Sequence, residues 1–199
     1  IRFLGFEFHL AIYSYGFMLV VAFYTCYALL LKEMRRLGYG DKLASDILTA
    51  AAIGGIVGSK IYYLMENFDR VLVDPTGMIF SGAGLVFLGG LMGGTLGVTI
   101  VIKKNDLPWL TFADIVAPLL ILGYAIGRVG CFLVGDDYGL PTKFFIGMTF
   151  ENGAPPTTYG SFTYNYPWVD LSGWNSGDVI TVYPTQIMET IIGLGIFYF

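Results

Sequence analysis

Between Leu10 and Leu31 the chain runs through 22 residues without a charged side chain. At 1.5 Å per residue such a run is long enough to cross a hydrocarbon core of about 30 Å. Inside that core the backbone finds no water, so the run must satisfy its own hydrogen bonds as a helix. The pattern recurs at about 43–65, 84–102 and 110–134, and again from Tyr183 to Phe199. These five spans predict an all-α, polytopic transmembrane helix bundle, with residues 1–199 forming a single integral membrane domain. Composition agrees. Charged residues make up 13% of the chain, about half the share of an average soluble domain, and the mean hydropathy is +0.67. The net charge of −4, with no basic stripe to meet a run of phosphates, excludes nucleic acid as a partner. Cys26 and Cys131 both lie in apolar runs and His9 is the single histidine, so no disulfide framework, metal site or cofactor is expected.

Two short loops set the predicted topology. Lys32, Glu33, Arg35, Arg36 and Lys42 follow the first span, and Lys103 and Lys104 follow the third. Both are basic, so both face the cytoplasm, leaving the N-terminus and residues 135–182 outside. The link 66–81 reads as a segment lying on the outer surface. The long stretch 135–182 is rich in Gly, Pro and aromatic residues, which predicts an ordered extracytoplasmic cap rather than a tether. In the second span Ala50, Gly54, Gly55 and Gly58 form a small-residue surface suited to close helix approach. Gly82-Ala83-Gly84, Gly89-Gly90 and Gly93-Gly94 could cradle phosphate, but in an apolar span tight packing is the default reading.

Charges inside spans are the anomalies, because each costs about 2.5–3.5 kcal/mol at a helix centre. Arg128 stands between Gly127 and Gly130, just before Asp136 and Asp137. A guanidinium there suits a bidentate grip on phosphate or carboxylate; the alternatives are an ion pair with Asp136 or Asp137, or snorkelling to the interface. Glu189 shares a helix face with Gln186, three residues earlier. The pair could hold a polar head group or make a helix-to-helix hydrogen bond. Asp114 reads as a capping or orienting residue, and Lys60 as a partner for an acid across the bundle or a snorkelling chain. Cys131 reads as a small hydrophobe, and His9 as an interfacial anchor.

Several stretches resemble the bacterial prolipoprotein diacylglyceryl transferases. The longest runs from Asp114-Ile115-Val116-Ala117-Pro118 through Gly127-Arg128-Val129-Gly130-Cys131-Phe132-Leu133 to Gly135-Asp136-Asp137-Tyr138-Gly139-Leu140-Pro141-Thr142. Tyr15-Gly16-Phe17-Met18, Gly84 to Gly90, and Tyr183-Pro184-Thr185-Gln186-Ile187-Met188-Glu189 are similar to further family motifs. The resemblance implies a seven-span enzyme, with further helices beyond Phe199. Such an enzyme moves the diacylglyceryl group of phosphatidylglycerol onto the lipobox cysteine of a preprolipoprotein, at its signal peptide, in the cytoplasmic membrane. It further implies that Arg128 grips the phosphate, Asp136 fills the family's acidic position beside Asp137, Gly139 permits a tight turn, and Gln186 and Glu189 buttress the site. Catalytic work would then fall to Arg128, Asp136 and Glu189. Substrate binding would involve Arg128, Asp137, Gly139, Gln186 and Lys60, the last standing where the family often has Arg. Surrounding membrane lipids complete the partners.

The chain departs from the pattern at four places. Leu88 stands where the family has its proposed base, and Leu19, Cys131 and Tyr183 replace a Tyr, an Asn and a His. With Leu88 unable to take a proton, deprotonation of a thiol would pass to Asp136, Asp137 or Glu189 held at a raised pKa, or to the thiol's own equilibrium. The alternative function is a catalytically impaired relative that binds lipid or acts as a scaffold beside other membrane subunits.

Overall fold

The computed structural model describes residues 14–81 and 86–199, and the backbone of two short strands, β1 (Arg2–Phe3) and β2 (Phe6–Glu7), which pair antiparallel. His9, the first residues of the first expected span and Gly82-Ala83-Gly84 lie outside the described residues. Eight helices follow among the described residues: α1 (Ser14–Arg36), α2 (Asp41–Glu66), α3 (Phe68–Val73), α4 (Pro75–Phe80), α5 (Phe87–Lys104), α6 (Trp109–Val134), α7 (Tyr159–Asn165) and α8 (Thr185–Tyr198). Four of them, α1, α2, α5 and α6, are long and apolar enough to cross a membrane. The protein is an all-helical, multi-pass membrane protein. Its fifth apolar run, expected from Tyr183, forms α8, which starts at Thr185 with Pro184 as its N-cap.

The chain divides into two compact units, one of Ile1–Cys26 with Pro118–Phe199, the other of Tyr27–Ala117. The second unit is built on α2 against α5. Ala50, Gly54 and Gly58 on α2, and Gly89, Gly93 and Gly97 on α5, recur at intervals of four and so line one face of each helix. A methyl group at Gly58 would strike the carbonyl oxygen of Gly89 and lie 2.8 Å from the Cα of Gly93. The backbones therefore touch directly, which is what small residues permit where lipid removes the hydrophobic drive between helices. The link 66–81 folds into α3 and α4, with Asp74 accepting from the Gly77 amide at 2.9 Å to start α4. Lys60 donates to Ser81 through its carbonyl at 2.9 Å and its hydroxyl at 3.0 Å. The basic loop after α1 is tied by Arg35, which makes two hydrogen bonds to the Asp41 carboxylate at 2.8 and 2.6 Å.

In the first unit, the stretch after α6 folds around Phe162, Ile180 and Val182, with Tyr138, Phe150, Tyr166 and Trp174 packed on them. The segment 179–183 runs through its middle. Val182 exchanges hydrogen bonds with Met148, the Thr142 amide donates to the Thr181 carbonyl, and the Gly139 amide donates to the Tyr183 carbonyl at 2.8 Å. This cap therefore feeds its last strand-like residues directly into α8.

Candidate active site

The site is assembled in the first unit, where α6, the turn after it and α8 meet. Gly130 lets α1 approach α6: a Cβ there would come within 3.1 Å of the Tyr15 ring and of Met18 Cβ. On the α8 side, Gly193 packs on Ala125, and the Thr190 hydroxyl donates to the Ala125 carbonyl at 3.2 Å. These contacts fix the rotation of α8, so Gln186 and Glu189 face α6. Tyr124, Arg128 and Cys131 stand at intervals of four and three on α6 and share one helix face.

Helix α6 ends at Gly135, whose φ of +72° suits a residue without a side chain and lets its amide close back on the Cys131 carbonyl at 2.9 Å. Asp137 follows with φ +50°, a left-handed conformation that Asp tolerates better than most residues. Tyr138 then locks the turn, its ring stacked on Phe150 with centroids 5.7 Å apart and its hydroxyl donating to the Pro155 carbonyl at 2.8 Å. Burial, with Tyr166 adding to it, holds that phenol well above its ordinary pKa. Pinned at Tyr138, the turn brings residues 136 and 137 back over Arg128.

Arg128 is 8% exposed and carries its charge among carboxylates. Its Nη1 donates to Asp137 Oδ2 at 3.1 Å, its Nη2 to the Asp137 carbonyl at 3.2 Å, and its Nε lies 2.9 Å from Glu189 Oε2 without the alignment of a hydrogen bond. The Tyr124 hydroxyl donates to that same Glu189 oxygen. Of the readings open for Arg128, the structure adopts the ion pair, with Asp137 rather than Asp136, and adds Glu189. A buried charge left unpaired would cost several kcal/mol, which accounts for the two carboxylates.

Gln186 is fully buried, and its amide donates to the Asp136 carbonyl while its Oε1 has no hydrogen-bond partner. Asp136 likewise keeps a buried, unpartnered Oδ1. Burial pushes its carboxyl above the usual carboxylate range; a hydrogen bond with Cys131 opposes the shift, Asp137 adds to it, and Arg128 opposes it. The Cys131 thiol and one oxygen each of Asp136 and Asp137 lie within 4.8 Å of one another. Among the described residues this is the grouping that could hold a metal ion, and the guanidinium on Asp137 competes for one of the three.

The sequence expectations are met unevenly. Arg128, Asp136, Asp137, Gln186 and Glu189 come together. Gly139 is required by close approach rather than by a turn: a Cβ would meet Thr185 Cγ2 at 2.7 Å and Tyr183 Cβ at 3.0 Å. Lys60 belongs to the other unit and is held by Ser81. Asp114 is exposed in the second turn of α6, past any capping position. Tyr124, which holds Glu189, is the site residue that the sequence expectations leave out, although its spacing from Arg128 is a signal that sequence alone carries.

A buried arginine clamped by acidic side chains, set on a helical multi-pass fold beside a small folded cap, defines a membrane protein with a charged site at the end of its spanning helices. A family profile described as prolipoprotein diacylglyceryl transferase matches residues 4–199, and the chain belongs to that family. Among similar proteins, the phosphatidylglycerol–prolipoprotein diacylglyceryl transferase of Clostridium tetani is 32% identical over 88% of this chain and 76% of its own length. The second such transferase of Clostridium perfringens is 34% identical over 98% of this chain and 69% of its length. That of Leptospira interrogans is 27% identical over 94% and 60%. The chain thus spans between three fifths and about three quarters of the length of these relatives.

Proposed function

We propose that the protein transfers the diacylglyceryl group of phosphatidylglycerol to the lipobox cysteine thiol of a preprolipoprotein. It works in the bacterial cytoplasmic membrane, with its basic loops inside and the cap outside. The thiolate sulfur attacks the glycerol carbon that carries the phosphate ester. A carbon–sulfur bond forms, the carbon–oxygen bond breaks, and its electron pair leaves with glycerol phosphate. The phosphate gains negative charge as it departs, so a fixed cation beside it stabilises the transition state more than the ground state. Arg128 is that cation, and Glu189 holds it in place. The thiol proton goes to a carboxylate, and Asp136, whose buried oxygen is unpartnered and whose affinity for protons is raised, fits that task. Leu88 has no atom to accept it. Gln186 and Gly139 keep α8 and the turn together.

The observation that carries this reading is the buried Arg128, paired with Glu189 and Asp137 inside the stretch matched to the family. No observation favours the scaffold alternative. The test is transfer of labelled diacylglycerol from phosphatidylglycerol to a lipobox peptide by the purified protein and by Arg128→Ala. Labelling by the first and none by the second is the expected result; equal labelling by both would remove Arg128 from the mechanism.

A further inference from the structure

The two carboxylates on Arg128 are held differently. Glu189 sits on α8 with its Oε2 fixed by the Tyr124 hydroxyl, and that helix is docked through Thr190 and Gly193. The Asp137 side chain is 70% exposed, against 38% for Glu189 and 10% for Arg128. The backbone beneath it is nevertheless pinned. The Asp137 carbonyl accepts from Arg128 Nη2 at 3.2 Å and from the Thr185 hydroxyl at 2.9 Å, and Tyr138 is locked in the cap core. Rotation about the Asp137 side-chain bonds therefore frees Nη1 without unseating the turn, whereas releasing Glu189 means breaking its hydrogen bond to Tyr124.

The charge balance points the same way. One guanidinium already faces Asp137 and Glu189, with Asp136 close by. A phosphodiester added to that group would be a further anion sharing a single cation, with like charges a few ångströms apart.

We infer that the Asp137 carboxylate is a built-in competitor for the anion seat on Arg128, and that the phosphate of the lipid substrate takes this seat by displacing it. Glu189 and the Asp137 carbonyl keep the guanidinium oriented during the exchange. The inference rests on the reading of Arg128 as the phosphate anchor and adds that anion affinity is held down by an acid of the chain itself. A ligand must out-compete Asp137, which weakens the binding of every anion at this seat by the same factor.

The experiment measures binding of glycerol phosphate to the purified full chain in detergent by calorimetry, at constant ionic strength, for the unaltered protein, Asp137→Asn, Asp137→Ser and Arg128→Ala. Asn keeps the shape and tolerates the positive φ of position 137, and thermal unfolding confirms that each variant is folded. An exposed ion pair removed from competition predicts roughly two- to fivefold tighter binding in both Asp137 variants, no binding in Arg128→Ala, and a fall of the same size in the KM for phosphatidylglycerol. Unchanged or weaker binding in folded Asp137 variants would overturn the inference, as would binding that survives Arg128→Ala. Because binding is read without turnover, a protein that binds as described but transfers nothing would refute the proposed activity alone.

Discussion

Glu189→Gln removes one charge from the site and almost no volume. Glu189 Oε2 lies 2.9 Å from Arg128 Nε. At an effective dielectric of about 20, unit charges about 3 Å apart attract by about 5.5 kcal/mol before desolvation is subtracted. Breaking a fully buried pair costs about 3–5 kcal/mol, and an exposed pair contributes about 0–1 kcal/mol. With the Arg128 side chain 10% exposed and the Glu189 side chain 38% exposed, and with Asp137 still in place, the cost falls between these limits, at about 2 kcal/mol. If the guanidinium must stay oriented for the phosphate to leave, most of that appears in the barrier, and 2 kcal/mol corresponds to a loss of roughly 30-fold in turnover. The assay is labelled diacylglyceryl transfer under saturating lipid, with thermal unfolding of the same preparation. Turnover within twofold of the unaltered protein, at unchanged stability, would refute the claim that Glu189 holds the arginine.

Two further outcomes follow from packing and from charge. Gly58→Ala places a methyl group against the backbone of α5, 2.8 Å from the Gly93 Cα; the expected loss is about 1–3 kcal/mol, read as earlier unfolding in detergent, while Gly16→Ala, with open space around it, serves as the control. The Asp136 carboxyl is raised by burial, so the folded protein binds its proton more tightly than the unfolded chain does. Stability should therefore fall as pH rises from the ordinary carboxylate range through the raised value. Asp136→Asn should flatten that decline and raise the melting temperature at neutral pH, and an unchanged pH profile of melting would show that Asp136 is not the group responsible.

Much of the fold was legible because a membrane makes sequence rules strict. Charge-free runs long enough to span have one backbone solution, and small residues at intervals of four mark where helices touch. The apolar run at Tyr183 was legible as a helix, but the helix starts two residues later, at Thr185, because Pro184 is its N-cap. The charged positions were visible as anomalies for the same reason, since lipid tolerates few of them. Their partners were not visible. Arg128 and Glu189 are separated by 61 residues, and no spacing rule reaches across the cap that joins them.

What the sequence determined by itself is the helical, multi-pass class and the set of residues that do not belong in lipid: local hydrogen bonding and hydrophobic length decide both, and neither depends on a distant contact. What the tertiary structure decided is which carboxylate meets the arginine. Tyr138 anchored in the cap core turns Asp137, and not Asp136, onto the guanidinium, and the packing of Gly193 on Ala125 sets the rotation that delivers Glu189. Those choices come from side chains packing between segments remote in the chain, and only the folded molecule brings such segments together.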